Sequence, residues 1–203
     1  MDGFYWMKKI INLVNIMNFK DIVQNASFVT VIGSGPTLTE FYKKTHPDEI
    51  VISCHFATDL CDQDYAFMLH HHQLNTIDCS RLKYLLFATE NADNKKATDI
   101  DLMKKKFNVP CEIIVRHCHD RTTPLSKFPQ WPFSVRYDNL RSCGTHIVVA
   151  LINMGVKNIQ AIGLGGAGYT KLLPVEKTYP KRVVDYSFLL KYAKDRGVCL
   201  ELN

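Results

Sequence analysis

Phe28-Val29-Thr30-Val31-Ile32-Gly33-Ser34-Gly35-Pro36-Thr37-Leu38 begins as an apolar, β-branched run and then turns through two glycines. An uninterrupted run of this kind is what a strand buried on both faces of a parallel sheet requires. Gly33 and Gly35 open backbone angles closed to other residues, and their missing side chains let another group lie against the main chain. Pro36 suits the first turn of a helix, where no backbone donor is lost, and Thr37 to about Lys44 is expected to continue that helix. A strand, a glycine turn and a helix N-terminus together form a site for phosphate. The same pattern also describes a plain tight turn. It is not the six-residue dinucleotide fingerprint, and no P-loop Gly-Lys-Ser/Thr is present.

The 203 residues suffice for one α/β domain with a full core and are too few for two. A hydrophobic content of 46% is ordinary for a globular chain, and no apolar run is long enough to span a membrane, so no membrane partner is expected. Within residues 1–24, apolar residues at 10, 13, 14 and 17 follow helical spacing. Asn12 and Asn15 interrupt what would otherwise resemble a signal peptide, so an N-terminal amphipathic helix is expected. The seven cysteines (54, 61, 79, 111, 118, 143, 199) form no Cys-x-x-Cys pair, which favours reduced thiols and a cytoplasmic setting. No spacing of the eight histidines with cysteines matches a zinc site, and no metal is expected. A formal charge of +5 suits a polyanionic partner without demanding one.

Further strands are expected at Glu49–Cys54, Tyr65–Leu69, Tyr84–Ala88, Cys111–Val115, Asn158–Leu164 and Val198–Leu202. Helices are expected at Asp99–Phe107, at Thr145–Met154 (apolar nearly all round, stopping at Gly155) and at Val183–Arg196, closed by Gly197. Alternation of this kind gives an α/β fold: a single domain over residues 1–203, with a mostly parallel, Rossmann-like sheet and helices on both faces. Residues 121–140, with three prolines and the aromatics Phe128, Trp131 and Phe133, are too long and too aromatic for a simple connection. They suit a binding loop or lid, or a loop whose aromatics merely pack beneath it.

In open parallel sheets, ligands bind beyond the carboxyl ends of the strands. The segments leaving the expected strands here are Gly33-Ser34-Gly35, His55, His70-His71-His72, His117-Cys118-His119-Asp120 and Gly165 to Tyr169. Six of the eight histidines therefore fall along one edge. A second candidate anion site is Arg141-Ser142-Cys143-Gly144-Thr145, where Ser142 or Thr145 can cap the buried helix and Gly144 admits a ligand to its unpaired N–H groups. A simple helix cap would look the same.

Two segments together resemble the bacterial lipooligosaccharide sialyltransferases. Val31-Ile32-Gly33-Ser34-Gly35-Pro36-Thr37-Leu38 is similar to that family's nucleotide-binding opening, roughly Gly-Asn-Gly-Pro-Ser-Leu. Cys143-Gly144, ten residues, Gly155, then Lys157-Asn158-Ile159 and Ile162-Gly163 is similar to its Ser-Gly, buried helix and Gly-x-Lys-x-Ile strand. A related pattern occurs in archaeal hydroxymethylpterin diphosphokinases. The resemblance covers about half the chain and implies a modified Rossmann fold that holds a UDP- or CMP-linked nucleotide sugar, with no required cofactor or metal.

By position, the resemblance implies that Gly33, Ser34, Gly35, Pro36 and Thr37 cradle phosphate and ribose, with His55 and His70 near the nucleotide. Cys143, Gly144 and Thr145 would close the site, and Tyr169 or Tyr179 would bond the leaving phosphate. The chain departs from the family at Gly165, where the family has Asp, and at Ser34, where it has Asn. It carries no histidine between Gly165 and Asp185, the region of the family's catalytic base. His70, His72 or Asp120 are the candidates left to take the acceptor proton.

The membrane-associated members of the family it resembles carry a basic or apolar C-terminal extension, whereas the sequence stops at Asn203 straight after the last expected strand, which weighs against a lipid-linked acceptor. The basic charge and aromatic loop suit double-stranded DNA, as in phage-type transferases that glycosylate 5-hydroxymethylcytosine and would act in the host cytoplasm. Arg121, Trp131, Arg136, Tyr137 and Arg141 would then contact DNA, the aromatics stacking on a flipped base. A glycan acceptor, a diphosphokinase and a catalytically idle nucleotide-binding module are the alternatives.

Overall fold

The computed structural model describes residues 19–68, 71–89, 112–117, 143–164, 170–173 and 186–203. Seven strands, β1 (Phe28–Ile32), β2 (Glu49–Cys54), β3 (Tyr65–Met68), β4 (Tyr84–Thr89), β5 (Glu112–His117), β6 (Asn158–Ile162) and β7 (Cys199–Leu202), form one sheet. Their order is β5-β4-β3-β2-β1-β6-β7, and every adjacent pair is parallel. The chain thus walks outward from β1 to β5, returns, and adds β6 and β7 on the other side of β1. The direction of winding reverses between β1 and β6. That is the switch point of a doubly wound sheet.

The described α-helices are α1 (residues 19–25), α2 (Cys143–Met154) and α3 (Ser187–Lys194). One face of the sheet, with Val29, Val31, Ile52, Cys54, Phe67, Ile159 and Ala161, packs in a single cluster with Phe19 and Val23 of α1, most of α2, and Leu189, Tyr192 and Ala193 of α3. The α2 sequence carries Ile147, Val148, Val149 and Ile152, each about 0.5 kcal/mol worse than alanine in a helix. Burying each apolar side chain is worth roughly 1.5–3 kcal/mol, and all four are at most 3% exposed. Packing therefore overrides propensity.

The expected helix stops hold. Gly155 takes φ +87°, its N–H donates to Ile152 O (3.0 Å), and Val156 N–H donates to Leu151 O (3.1 Å). This is the paired-bond ending that left-handed glycine permits. α3 ends the same way, with Gly197 N–H on Lys194 O and Val198 N–H on Ala193 O, both 3.0 Å.

The helix expected at Thr37–Lys44 is absent. After Pro36 the chain runs irregularly, and Tyr42 forms a parallel bridge with Cys61, donating its N–H to Leu60 O and accepting Asp62 N–H (both 2.9 Å). These long-range bonds use the backbone groups that a helix would need. The second face of the sheet, around Ile32 and Val51, is covered by this segment and by the 3-10 helix His55–Leu60, with Leu38, Ala57 and Cys61 buried against it.

At the amino edge on that face lies a fully buried carboxylate. Glu49 accepts from Thr30 Oγ1 (2.5 Å), Tyr42 Oη (2.6 Å), Thr45 N (2.7 Å) and Thr45 Oγ1 (3.2 Å). Burial pushes its pKa up, and the hydrogen bonds from Thr30, Tyr42 and Thr45 outweigh that and hold it below the usual carboxylate value. Tyr42 is pushed up to about 12 by burial and by its bond to this carboxylate.

The expected strands at 65–69 and 111–115 appear as Tyr65–Met68 and Glu112–His117. The N-terminal helix expected within residues 1–24 is described from residue 19, where α1 runs to residue 25; residues 1–18, the helix expected at 99–107 and the loop 121–140 lie outside the described residues. Among the described residues, no helix is long and apolar enough to cross a membrane.

Candidate nucleotide site at the switch point

The turns leaving β1 and β6 are locked together. Gly33 N–H donates to Ile162 O (2.7 Å) and Gly35 N–H to Gly163 O (2.6 Å). Gly163 takes φ +69°. A Cβ on Gly163 would stand 2.4 Å from Gly33 O, and one on Gly33 would stand 2.4 Å from Gly163 O. The two glycines are required by each other's backbone.

Three more segments converge on these turns. Thr37 Oγ1 accepts from Gly163 N (2.9 Å) and donates to Asn203 O (2.7 Å), tying the end of β7 to both turns. Thr170 N–H donates to Ser34 O (2.8 Å), and the Thr170 hydroxyl bonds Leu38 O. From the helical layer, Tyr186 at the start of α3 donates its hydroxyl to Leu164 O. Burial pushes Tyr186 up to about 12, so it remains a donor through the physiological range.

Leu164 joins the glycine turn to the N-terminus of α2. Its Cδ2 lies 2.8 Å from where a Cβ on Gly33 would stand and 2.1 Å from where one on Gly144 would stand. A methyl thus fits between two backbones that only glycine brings so close. The first turn of α2 holds no acidic residue, so its positive end is not compensated there. Cys143 lies near enough to Cys54, the last residue of β2, for the two thiols to interact; burial first, and then Cys143, pushes the Cys54 thiol well above its usual value. The N-terminus of α2 therefore overlooks the carboxyl ends of both β2 and β6.

His55 follows Cys54 with φ +50°, its ring stacked on Phe56 at 3.7 Å. Its Nε2 lies 3.1 Å from Thr76 Oγ1, which ties the β2 exit to the 3-10 helix His71–Thr76. A non-glycine residue in the left-handed region is held there by its surroundings.

Of the residues singled out from sequence, the structure gathers Gly33, Ser34, Gly35, Pro36 and Thr37 on one side of this junction and Cys143, Gly144 and Thr145 on the other, with His55 along the same edge. The Gly33 and Gly35 amides and the Thr37 hydroxyl are engaged within the fold. Among the described residues, nothing bonds the Ser34 amide or hydroxyl. His72 lies in the 3-10 helix His71–Thr76. His70, Asp120, Arg121, Trp131, Arg136, Tyr137, Arg141, Tyr169 and Tyr179 lie outside the described residues. Leu164 and Tyr186 escaped sequence reasoning, because nothing near either residue in the chain marks a contact with the glycine turn.

A parallel sheet with glycine turns and a helix N-terminus at its switch point belongs to the architecture that binds ligands in that crevice. Two solved structures that it resembles are both from Campylobacter jejuni. The monofunctional α-2,3-sialyltransferase Cst-I is 12% identical, with 88% of this chain and 76% of that one covered at a TM-score of 0.49. The sialyltransferase CstII, in complex with the substrate analogue CMP-3FNeuAc, is 17% identical, with 86% and 79% covered at a TM-score of 0.46. Likeness at this level says nothing about activity. No protein-family model matches the chain, and no curated protein matches it.

Proposed function

We propose that this protein is a glycosyltransferase that moves a sugar from a nucleotide-sugar donor to a hydroxyl acceptor. The observation that carries this is the convergence of the β1 glycine turn and the α2 N-terminus on Leu164, at the switch point of a parallel sheet. Helix amides and a serine amide and hydroxyl, with no carboxylate in the first turn of α2, suit the phosphate of a nucleotide. The motifs around Gly33 and Gly144 resemble the opening and the Ser-Gly segment of sialyltransferases, which favours a CMP- or UDP-linked sugar over a free nucleotide.

In this reading, the Ser34 amide and hydroxyl and the amides of Cys143, Gly144 and Thr145 hold the donor phosphate, and they gain strength as charge develops on the leaving nucleotide. His55, at the β2 exit, borders the nucleotide. The proton of the acceptor passes to a base at the same edge, with His70, His72 and Asp120 as candidates. Amides and hydroxyls carry the phosphate charge, so no divalent cation is called for.

The acceptor divides the reading. 5-Hydroxymethylcytosine in double-stranded DNA is favoured by the net charge of +5 and by Arg121, Trp131, Arg136, Tyr137 and Arg141. A glycan hydroxyl is favoured by the sialyltransferase-like motifs. The test offers CMP- and UDP-linked sugars with oligosaccharides and, in parallel, with duplex DNA containing 5-hydroxymethylcytosine, all in EDTA. Transfer to one acceptor that persists in EDTA is expected. Failure of every donor to bind or react overturns the glycosyltransferase reading. Activity restored only by Mg²⁺ overturns the metal-free site, and transfer to oligosaccharides alone overturns the DNA acceptor.

A further inference from the structure

We infer that Thr37 and Tyr186 are positioning residues that clamp the β6 exit, Gly163-Leu164, from opposite layers of the fold and so set the α2 N-terminus against the glycine turn. This rests on the switch-point site proposed above. Thr37 approaches from the loop beyond β1, and its one hydroxyl holds Gly163 N–H at 2.9 Å and Asn203 O at 2.7 Å. Tyr186 approaches from the start of α3 and holds the carbonyl of the next residue, Leu164. The two hydroxyls thus grip adjacent residues, one by its donor and the other by its acceptor.

What they hold touches both halves of the site. The side chain of Leu164 fills the space between Gly33 and Gly144, where a Cβ from either glycine would come within 2.8 Å or less of the same methyl. With no slack on either side, a displacement of the Leu164 backbone displaces α2 relative to the turn. Tyr186 leans on the core through its ring and acts through its hydroxyl. Binding that needs the Ser34 and α2 amides at one distance therefore depends on two hydroxyls that need not touch the ligand.

A control lies on the same helix. Tyr192, within α3, is buried and donates its hydroxyl to Asn153 Oδ1 at 2.7 Å, near the far end of α2. Removing that hydroxyl costs a hydrogen bond of the same kind without touching the β6 exit.

The experiment compares Tyr186→Phe, Thr37→Val, Thr37→Ser and Tyr192→Phe by urea unfolding and by titration with CMP and UDP as probes. Tyr186→Phe and Thr37→Val are expected to weaken binding of the preferred nucleotide at least tenfold. Thr37→Ser, which keeps the hydroxyl, should bind within threefold of the parent, as should Tyr192→Phe. Unchanged binding in Tyr186→Phe, or an equal loss in Tyr192→Phe, overturns the proposal. If the parent protein binds neither probe, the functional reading is what fails, and amide hydrogen exchange then decides the clamp. Faster exchange at Gly163 in Thr37→Val, and at Ile147 and Val148, whose amides bond the first carbonyls of α2, in Tyr186→Phe, supports it. Exchange unchanged at those amides overturns it.

Discussion

Gly163→Ala is expected to destabilise the protein by about 2–5 kcal/mol. Two costs add: an L-residue in the left-handed region loses roughly 1–2 kcal/mol, and overpacking a filled site adds about 1–3 kcal/mol. The second applies because the new Cβ would stand 2.4 Å from Gly33 O, which is backbone bonded on both sides and cannot swing away. Gly197→Ala separates the two costs. Gly197 has φ +64° with nothing within 4 Å of the added atom, so it should lose only the conformational part, about 1 kcal/mol. Equal losses for the two variants in urea unfolding would mean that the turns beyond β1 and β6 are not packed as described.

The second large effect lies at the opposite edge. Glu49→Ala should cost about 3–5 kcal/mol, because it leaves Thr30, Tyr42 and Thr45 without their shared acceptor and opens a cavity in a site with no solvent exposure. The same carboxylate gives stability a definite pH dependence. Its folded pKa is below its unfolded value of about 4.3, so its contribution is fully present above that pH and fades as the pH falls through the folded value. Tyr42 works in the other direction, losing its contribution as the pH rises from about 10 through about 12. Glu49→Gln should therefore flatten the acid limb of the stability profile. A variant with the parent's acid limb would show that other carboxylates set it.

The parallel sheet was legible because its strands are buried on both faces and so carry runs such as Val29-Thr30-Val31-Ile32 and Ile50-Val51-Ile52. Both helix stops were legible because Gly155 follows an apolar helix and Gly197 an amphipathic one, neither with another reason to end. Strand order was not, since hydrophobic runs record burial and not which neighbour supplies it. The helix expected after Pro36 shows the same limit. Pro-Thr-Leu-Thr-Glu satisfies every local rule for a helix start. Yet Thr37 is claimed by Gly163 and Asn203, residues 126 and 166 positions away, and Tyr42 is claimed by the bridge at Cys61.

The candidate site divides along the same line. Its glycines were visible because each breaks an apolar run, and Cys143-Gly144-Thr145 because it opens the buried helix. Tyr186 looked like one more aromatic at the edge of an amphipathic helix, and only the fold brings its hydroxyl to Leu164. Glu49 looked like the polar start of a strand, although it is one of the most completely buried polar groups described.

The most direct test is to locate a bound nucleotide. Titrating ¹⁵N-labelled protein with CMP and with UDP should shift the amides of Ser34, Cys143, Gly144 and Thr145 most strongly with the preferred nucleotide. His55 should follow them, and residues at the amino edge, such as Glu49, Asp64 and Arg81, should stay unmoved. Shifts centred on that amino edge, or saturation by neither nucleotide at millimolar concentration, would contradict a nucleotide site at the switch point between β1 and β6.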